Sequence, residues 1–144
     1  MIYILIILCI FISEWFIKKF IEETKQYGKE EKICKGKIII NKYHNKGAML
    51  NFLEKEKEVV LAMSCFILGI VITFFAILIP KKGNKLLKLG LSFIIGGALS
   101  NTCDRIKRGY VVDYFSFPWL KKIVFNISDF CIFIGSFFAA IGEK

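Results

Sequence analysis

The sequence predicts an integral membrane protein, mainly α-helical. Four transmembrane helices are expected, with a small extracytoplasmic β-sheet between helices 1 and 2. Three observations lead there. The chain is 56% hydrophobic with fifteen Phe and a mean hydropathy of +0.57, and its apolar residues come in blocks, whereas a soluble domain is nearer half apolar and spreads them periodically. Four blocks approach the roughly 20 residues that cross a bilayer. The one long polar connection holds a β-branched run of the kind strands favour. At 144 residues the chain is the size of a single domain.

The first block, residues 1–20, reads "MIYILIILCIFISEWFIKKF". It lacks a basic start and an A-x-A cleavage site, and Glu14 interrupts it, so a retained helix is expected over a signal peptide. Glu14 and Lys18 stand four apart, share a helix face and can pair. The simpler reading makes them two interfacial charges reaching for water at the helix end. The connection that follows contains "ICKGKIIINKYHNKGAMLNFL". "KIIIN" reads as a strand and "HNKG" as a turn, giving a surface β region at about 33–55 that arches over the helix ends. In it, Asn45 either points its amide at a bound peptide or caps its own turn before Gly47.

The second block, 59–79, is uncharged and the clearest of the four. A short basic loop, "PKKGNKLLK", leads to the third at 86–103. The fourth, 123–141, carries Asp129 inside it. Loop 80–88 has four lysines and no acid, which favours the cytoplasmic side and places the two long connections outside.

Composition excludes several classes. The net charge of +9 comes from lysines flanking apolar blocks, as at an anionic membrane surface, and not from a nucleic-acid module. Five cysteines form no C-x-x-C and read as packing residues. His44 is the only histidine, so a histidine-based metal site or Ser-His-Asp triad is not expected. No metal or cofactor is called for. A serine–lysine hydrolase is disfavoured because no lysine lies near a helix centre to act as base for Ser64, Ser92, Ser100 or Ser136.

The carboxylates carry the chemistry. A charge at a helix centre costs about 2.5–3.5 kcal/mol on insertion scales, so such residues usually face a protein interior and mark function. Asn126 and Asp129 stand three apart on one face, and Asn101 and Asp104 repeat that spacing on the preceding helix. "GYVVDYFSF" is an extended piece able to bring Asp113 back over the helix ends. Two adjacent carboxyls do not ionise together readily, so one holds a proton while the other accepts one from water. Arg105 is expected to pair with its neighbour Asp104 as a structural bridge. The alternative keeps all these acids as salt-bridged anchors of a non-catalytic scaffold.

"GGALSNTCDRIKRGYVVDYFSF", then "FNISD", and earlier "NKGAML" together resemble the lipoprotein, or type II, signal peptidases. Their pattern runs roughly G-G-A-x-G-N-x-x-D-R, V-V-D-F and F-N-x-A-D, with an N-x-G-A-A-F segment upstream. The resemblance covers essentially the whole chain. It implies an intramembrane aspartyl endopeptidase of the bacterial cytoplasmic membrane, with its site at the extracytoplasmic face. Such an enzyme removes signal peptides from diacylglyceryl-modified prolipoproteins, cutting before the lipid-bearing cysteine. It implies Asp113 and Asp129 as the catalytic pair, with Asn45, Asn101, Asp104, Arg105, Asn126, Glu14 and Lys18 as supporting or substrate-binding residues. A monomer working on membrane-held precursors is expected. Glu14, Ser100, Ser128 and Met49 depart from the pattern, which leaves open a narrow-substrate or non-catalytic paralogue that binds lipoprotein precursors.

Overall fold

The computed structural model describes residues 1–47, 53–120 and 123–142. The elements run α1 (Ile2–Thr24), β1 (Glu31–Ile33), β2 (Ile38–Asn45), α2 (Lys57–Leu78), α3 (Lys85–Arg108), β3 (Val111–Ser116) and α4 (Ile127–Gly142). The three strands form one antiparallel sheet in the order β1-β2-β3. The β-branched run became β2, as its composition requires. The third strand is the "VVDYFS" piece, paired so that His44 faces Val112 and Asn45 faces Val111.

By length and composition α2 and α3 can each cross a membrane. α2 has a mean hydropathy of 2.7 in its most apolar window and leaves Phe66, Ile67 and Ile70 largely exposed, as a lipid-facing helix does. α4 is a shorter apolar helix of sixteen residues.

α3 is the central element and touches the other three helices. Leu91 and Ile95 on α3 form one apolar cluster with Leu68, Phe75 and Leu78 of α2 and with Tyr3 and Ile7 of α1. Against α4 the approach is backbone to backbone. A Cβ at Gly90 would sit 2.5 Å from the Gly135 carbonyl oxygen, and one at Gly97 would sit 2.5 Å from that of Ser128. Both pairs are seven residues apart on each helix, so small residues line a straight antiparallel seam. That seam sets the start of α4 against the last turns of α3.

Four boundaries differ from the sequence reading. α1 runs on to Thr24 because Ile21 is buried against Val112 and Tyr114 of β3. α3 continues past Cys103 to Arg108, since Asp104 has buried partners there, and it stops at Gly109, whose φ of +75° suits glycine. α4 begins at Ile127 and not at 123, because Phe125 is tied to Phe115 by backbone hydrogen bonds in both directions (2.7 and 3.0 Å). β2 ends at Asn45, short of the expected 55. The "AML" of "NKGAML", and with it Met49, lies outside the described residues.

Candidate active site

The site is assembled at the N-terminus of α4. A helix start leaves four backbone N–H groups without intrahelical partners, and side chains take all four here. Asn126 is the cap: its Oδ1 accepts from the Asp129 N–H (2.9 Å), while Asp129 Oδ2 accepts from the Asn126 N–H (3.1 Å). This reciprocal pair is a capping box written with Asn and Asp. The Ile127 N–H donates to the Tyr114 hydroxyl (3.1 Å) and the Ser128 N–H to Glu14 Oε2 (3.1 Å).

The cap also ties the two aspartates together. Asn126 Nδ2 donates to Asp113 Oδ1 (2.7 Å), so one fully buried amide bridges Asp113 on β3 and Asp129 on α4. The remaining carboxylate oxygens face amides as well. Asp113 Oδ2 accepts from Asn45 Nδ2 (3.1 Å), and Asp129 Oδ1 accepts from Asn101 Nδ2 (3.1 Å). Asn45 reaches Asp113 because Asn45 pairs with Val111, and residues two apart in a strand share a face. Its Oδ1 meanwhile accepts from the Gly47 N–H (3.1 Å). Its oxygen thus closes the turn before Gly47, one of the two expected roles, while its nitrogen faces the Asp113 carboxylate.

Asp113 lies outside the membrane-crossing segments but is 3% exposed. Burial first, and the charge of Asp129 second, push its carboxyl up to about 7, against the opposing pull of Asn45 and Asn126. A pair so placed titrates as a unit.

Beneath the aspartates lies a buried ionic cluster. Lys18 and Glu14 are 1% and 0% exposed, so the reading of two snorkelling interfacial charges is wrong. They lie on the face of α1 turned into the protein. Lys18 Nζ has three donors and three close oxygens: Ser100 Oγ (2.9 Å), Asn101 Oδ1 (2.8 Å) and Asp104 Oδ2 (3.0 Å). Glu14 Oε2 stands 3.7 Å from the same ammonium. The Glu14 carboxylate accepts from the Tyr114 hydroxyl (2.6 Å) and the Ser128 hydroxyl (2.7 Å).

Asp104 does not pair with Arg105. It binds Lys18, lies 3.3 Å from Arg108 and accepts from the Val112 N–H (3.2 Å), which fixes the first turn of chain after α3. Adjacent helical residues point in different directions, whereas Arg108, four on, shares the face of Asp104. Arg105 instead donates to the Gly47 carbonyl (3.0 Å), holding the turn after β2.

Asn45, Asn101, Arg105, Asp113 and Asp129 line a cavity of about 210 Å³. Its opposite wall is apolar, made by Ile123, Val124 and Phe125 before α4 and by Ile132 and Phe133 within it. The cavity thus sets two carboxyls, a guanidinium and two amides beside an apolar wall.

Lys18 does come within 2.9 Å of Ser100, a contact the sequence reading did not anticipate. The pair is unsuited to nucleophilic catalysis: all three lysine donors are engaged, and Ser100 is 4% exposed and does not line the cavity. Tyr114 and Ser128 were missed as members of the site. Only the alternation of β3, which turns Tyr114 away from Asp113 and toward α1, was available as a signal for the tyrosine. Three of the departures from the family pattern, Glu14, Ser100 and Ser128, fall in this one cluster and bond within it.

A family model described as signal peptidase (SPase) II matches residues 6–143. The chain is 30% identical to a lipoprotein signal peptidase of Lactiplantibacillus plantarum, over 98% of this chain and 93% of the relative. It is 33% identical to that of Clostridium tetani, over 85% of this chain and 76% of the relative. Among solved structures, a bacterial membrane enzyme determined by the in meso method at 1.9 Å superposes with a TM-score of 0.84. That match is 26% identical and covers 98% of this chain and 91% of the other.

Proposed function

The chain belongs to the signal peptidase II family, and from that premise we propose that it is an intramembrane aspartyl endopeptidase. Its substrates are diacylglyceryl-modified prolipoproteins, from which it removes the signal peptide by cutting before the lipid-bearing cysteine. The observation that carries the reading is the bridging of Asp113 and Asp129 by Asn126 at the mouth of a half-apolar cavity.

In this mechanism the dyad holds one proton. The ionised carboxylate takes a proton from water, whose oxygen attacks the scissile carbonyl. The protonated carboxyl donates to the carbonyl oxygen, and the dyad then returns a proton to the leaving nitrogen as the C–N bond breaks. The raised affinity of Asp113 for its proton suits the acid role near neutral pH. Arg105 and the amides of Asn45 and Asn101 hold the peptide and the carboxyls in register.

All four helices cross the membrane in this reading. α1 crosses despite Glu14 and Lys18, because both face inward, where the two cations Lys18 and Arg108 balance the two carboxylates Glu14 and Asp104. The sheet and the site then lie at the extracytoplasmic face, and loop 80–88 lies in the cytoplasm. The acyl chains stay in lipid beside Phe133 while the peptide reaches water at the helix ends. The changes at Glu14, Ser100 and Ser128 are absorbed within the buried cluster and leave the cavity's carboxyls untouched, which favours an active enzyme over a non-catalytic binder.

Purified protein is incubated with a prolipoprotein, with and without the diacylglyceryl group. A shortened product from the modified precursor alone is expected. Tight binding of the precursor with no product would establish the binding paralogue instead.

A further inference from the structure

An asparagine amide can turn either end toward a neighbour, and the two ends act oppositely on a carboxylate: nitrogen donates, oxygen repels. Asn101 and Asn126 each stand between groups that need the right end. For Asn126 the choice is made by backbone, because the Asp129 N–H occupies its oxygen (2.9 Å) and leaves Nδ2 for Asp113 (2.7 Å). For Asn101 no backbone donor does this among the described residues. Its oxygen receives Lys18 Nζ (2.8 Å) and, more weakly, Asn126 Nδ2 (3.2 Å), and only then is its nitrogen left for Asp129 (3.1 Å).

The geometry points to Lys18 as a positioning residue for the dyad: its ammonium locks Asn101 so that Asp129 meets an amide N–H and never an amide oxygen. An ammonium is a donor only, so it cannot tolerate the reversed amide. Ser100 and Asp104 occupy its other two donors and hold it on target. Among the described residues, Lys18 lines no part of the cavity and forms no hydrogen bond or ion pair with either aspartate of the dyad. Its charge is felt at Asp113 across space, but the orientation of the group that meets Asp129 is set through Asn101, which is why the test reads the amide as well as the rate. The inference rests on the dyad proposed above, but it concerns an orientation that can be read without turnover.

Removing Lys18 alone leaves Glu14 unbalanced in the interior, so the test compares E14Q/K18M with E14Q. In both, Asp104 keeps Arg108 as a partner (3.3 Å), and the amide introduced by E14Q can keep its oxygen on the Ser128 N–H and hydroxyl while its nitrogen donates to the Tyr114 hydroxyl. The thioether side chain introduced by K18M fills much of the lysine's path and donates nothing. The expected result is a kcat for E14Q/K18M at least about tenfold below E14Q, with KM within about twofold, since the lost orientation acts on chemistry and not on binding. In detergent, an Asn101 side-chain amide proton donating to Asp129 should resonate downfield in E14Q and move upfield in E14Q/K18M. Equal kcat and equal amide shifts in the two variants would overturn the inference. If E14Q/K18M does not fold, the parent decides: amide protons of Asn101 nearer in cross-peak intensity to Lys18 than to Asp129 would overturn it, and the reverse supports it. Because the resonance test needs no cleavage, an inactive parent would sink the proposed activity and leave this question answerable.

Discussion

Asn126 separates what holds the helix from what serves the reaction. Its oxygen caps α4 through the Asp129 N–H (2.9 Å), and its nitrogen donates to Asp113 (2.7 Å) from a fully buried position. Asn126→Ser retains a cap, because a serine hydroxyl also accepts from that N–H, but loses the donor to Asp113. Asn126→Ala loses both. A cap is worth about 1 kcal/mol, so Asn126→Ala should be less stable than Asn126→Ser by about that amount. The donor is a hydrogen bond to a carboxyl that becomes charged as it gives up its proton, worth about 1.5–3 kcal/mol once that charge has formed. If it is realised in the transition state, both variants should lose between about 10- and 150-fold in kcat. The assay is thermal unfolding in detergent beside cleavage of a lipid-modified precursor by the same preparations. Parental kcat in Asn126→Ser would refute the catalytic half of this reasoning. Coincident melting of the two variants would refute the capping half.

Three further outcomes follow from other contacts. Asp104→Asn should lower stability by about 3 kcal/mol, because Lys18 and Arg108 lose a buried counter-charge; a parental melting temperature would contradict this. Gly97→Ala should destabilise by about 1–3 kcal/mol and reduce cleavage, since its Cβ would stand 2.5 Å from the Ser128 carbonyl beside the α4 start; thermal unfolding and the cleavage assay check it. Asp113, raised to about 7 by burial and by Asp129, binds its proton more tightly folded than unfolded. Its contribution to stability is thus fully present below its ordinary value of 3.8 and is lost as pH rises through about 7, and cleavage should decline on the alkaline side with a midpoint near there, as a pH–rate profile would show.

What could be read from the sequence follows the strength of its local signals. Blocks of apolar residues and a β-branched run announced helices and a strand, because each signal lies within one element. Asp113 and Asp129 stood out because ionisable groups in such surroundings need a reason. The partners of Lys18 and Asp104 were hidden. Lys18 meets residues more than eighty positions away, and no spacing rule reaches that far. Sequence neighbourhood misled for Arg105, since consecutive helical residues diverge. The start of α4 was misplaced because the "IVFN" ahead of it is as apolar as the helix, and only the pairing of Phe125 with Phe115 reveals that it is extended.

The central claim is that Asp113 and Asp129 act as one proton-sharing pair. Asp113→Asn and Asp129→Asn, each purified in folded form, are assayed on a diacylglyceryl-modified prolipoprotein beside the parent. An amide cannot take a proton from water or carry one to a leaving nitrogen, so the parent should yield the shortened product and both variants none. Cleavage at the parental rate by either variant would contradict the account.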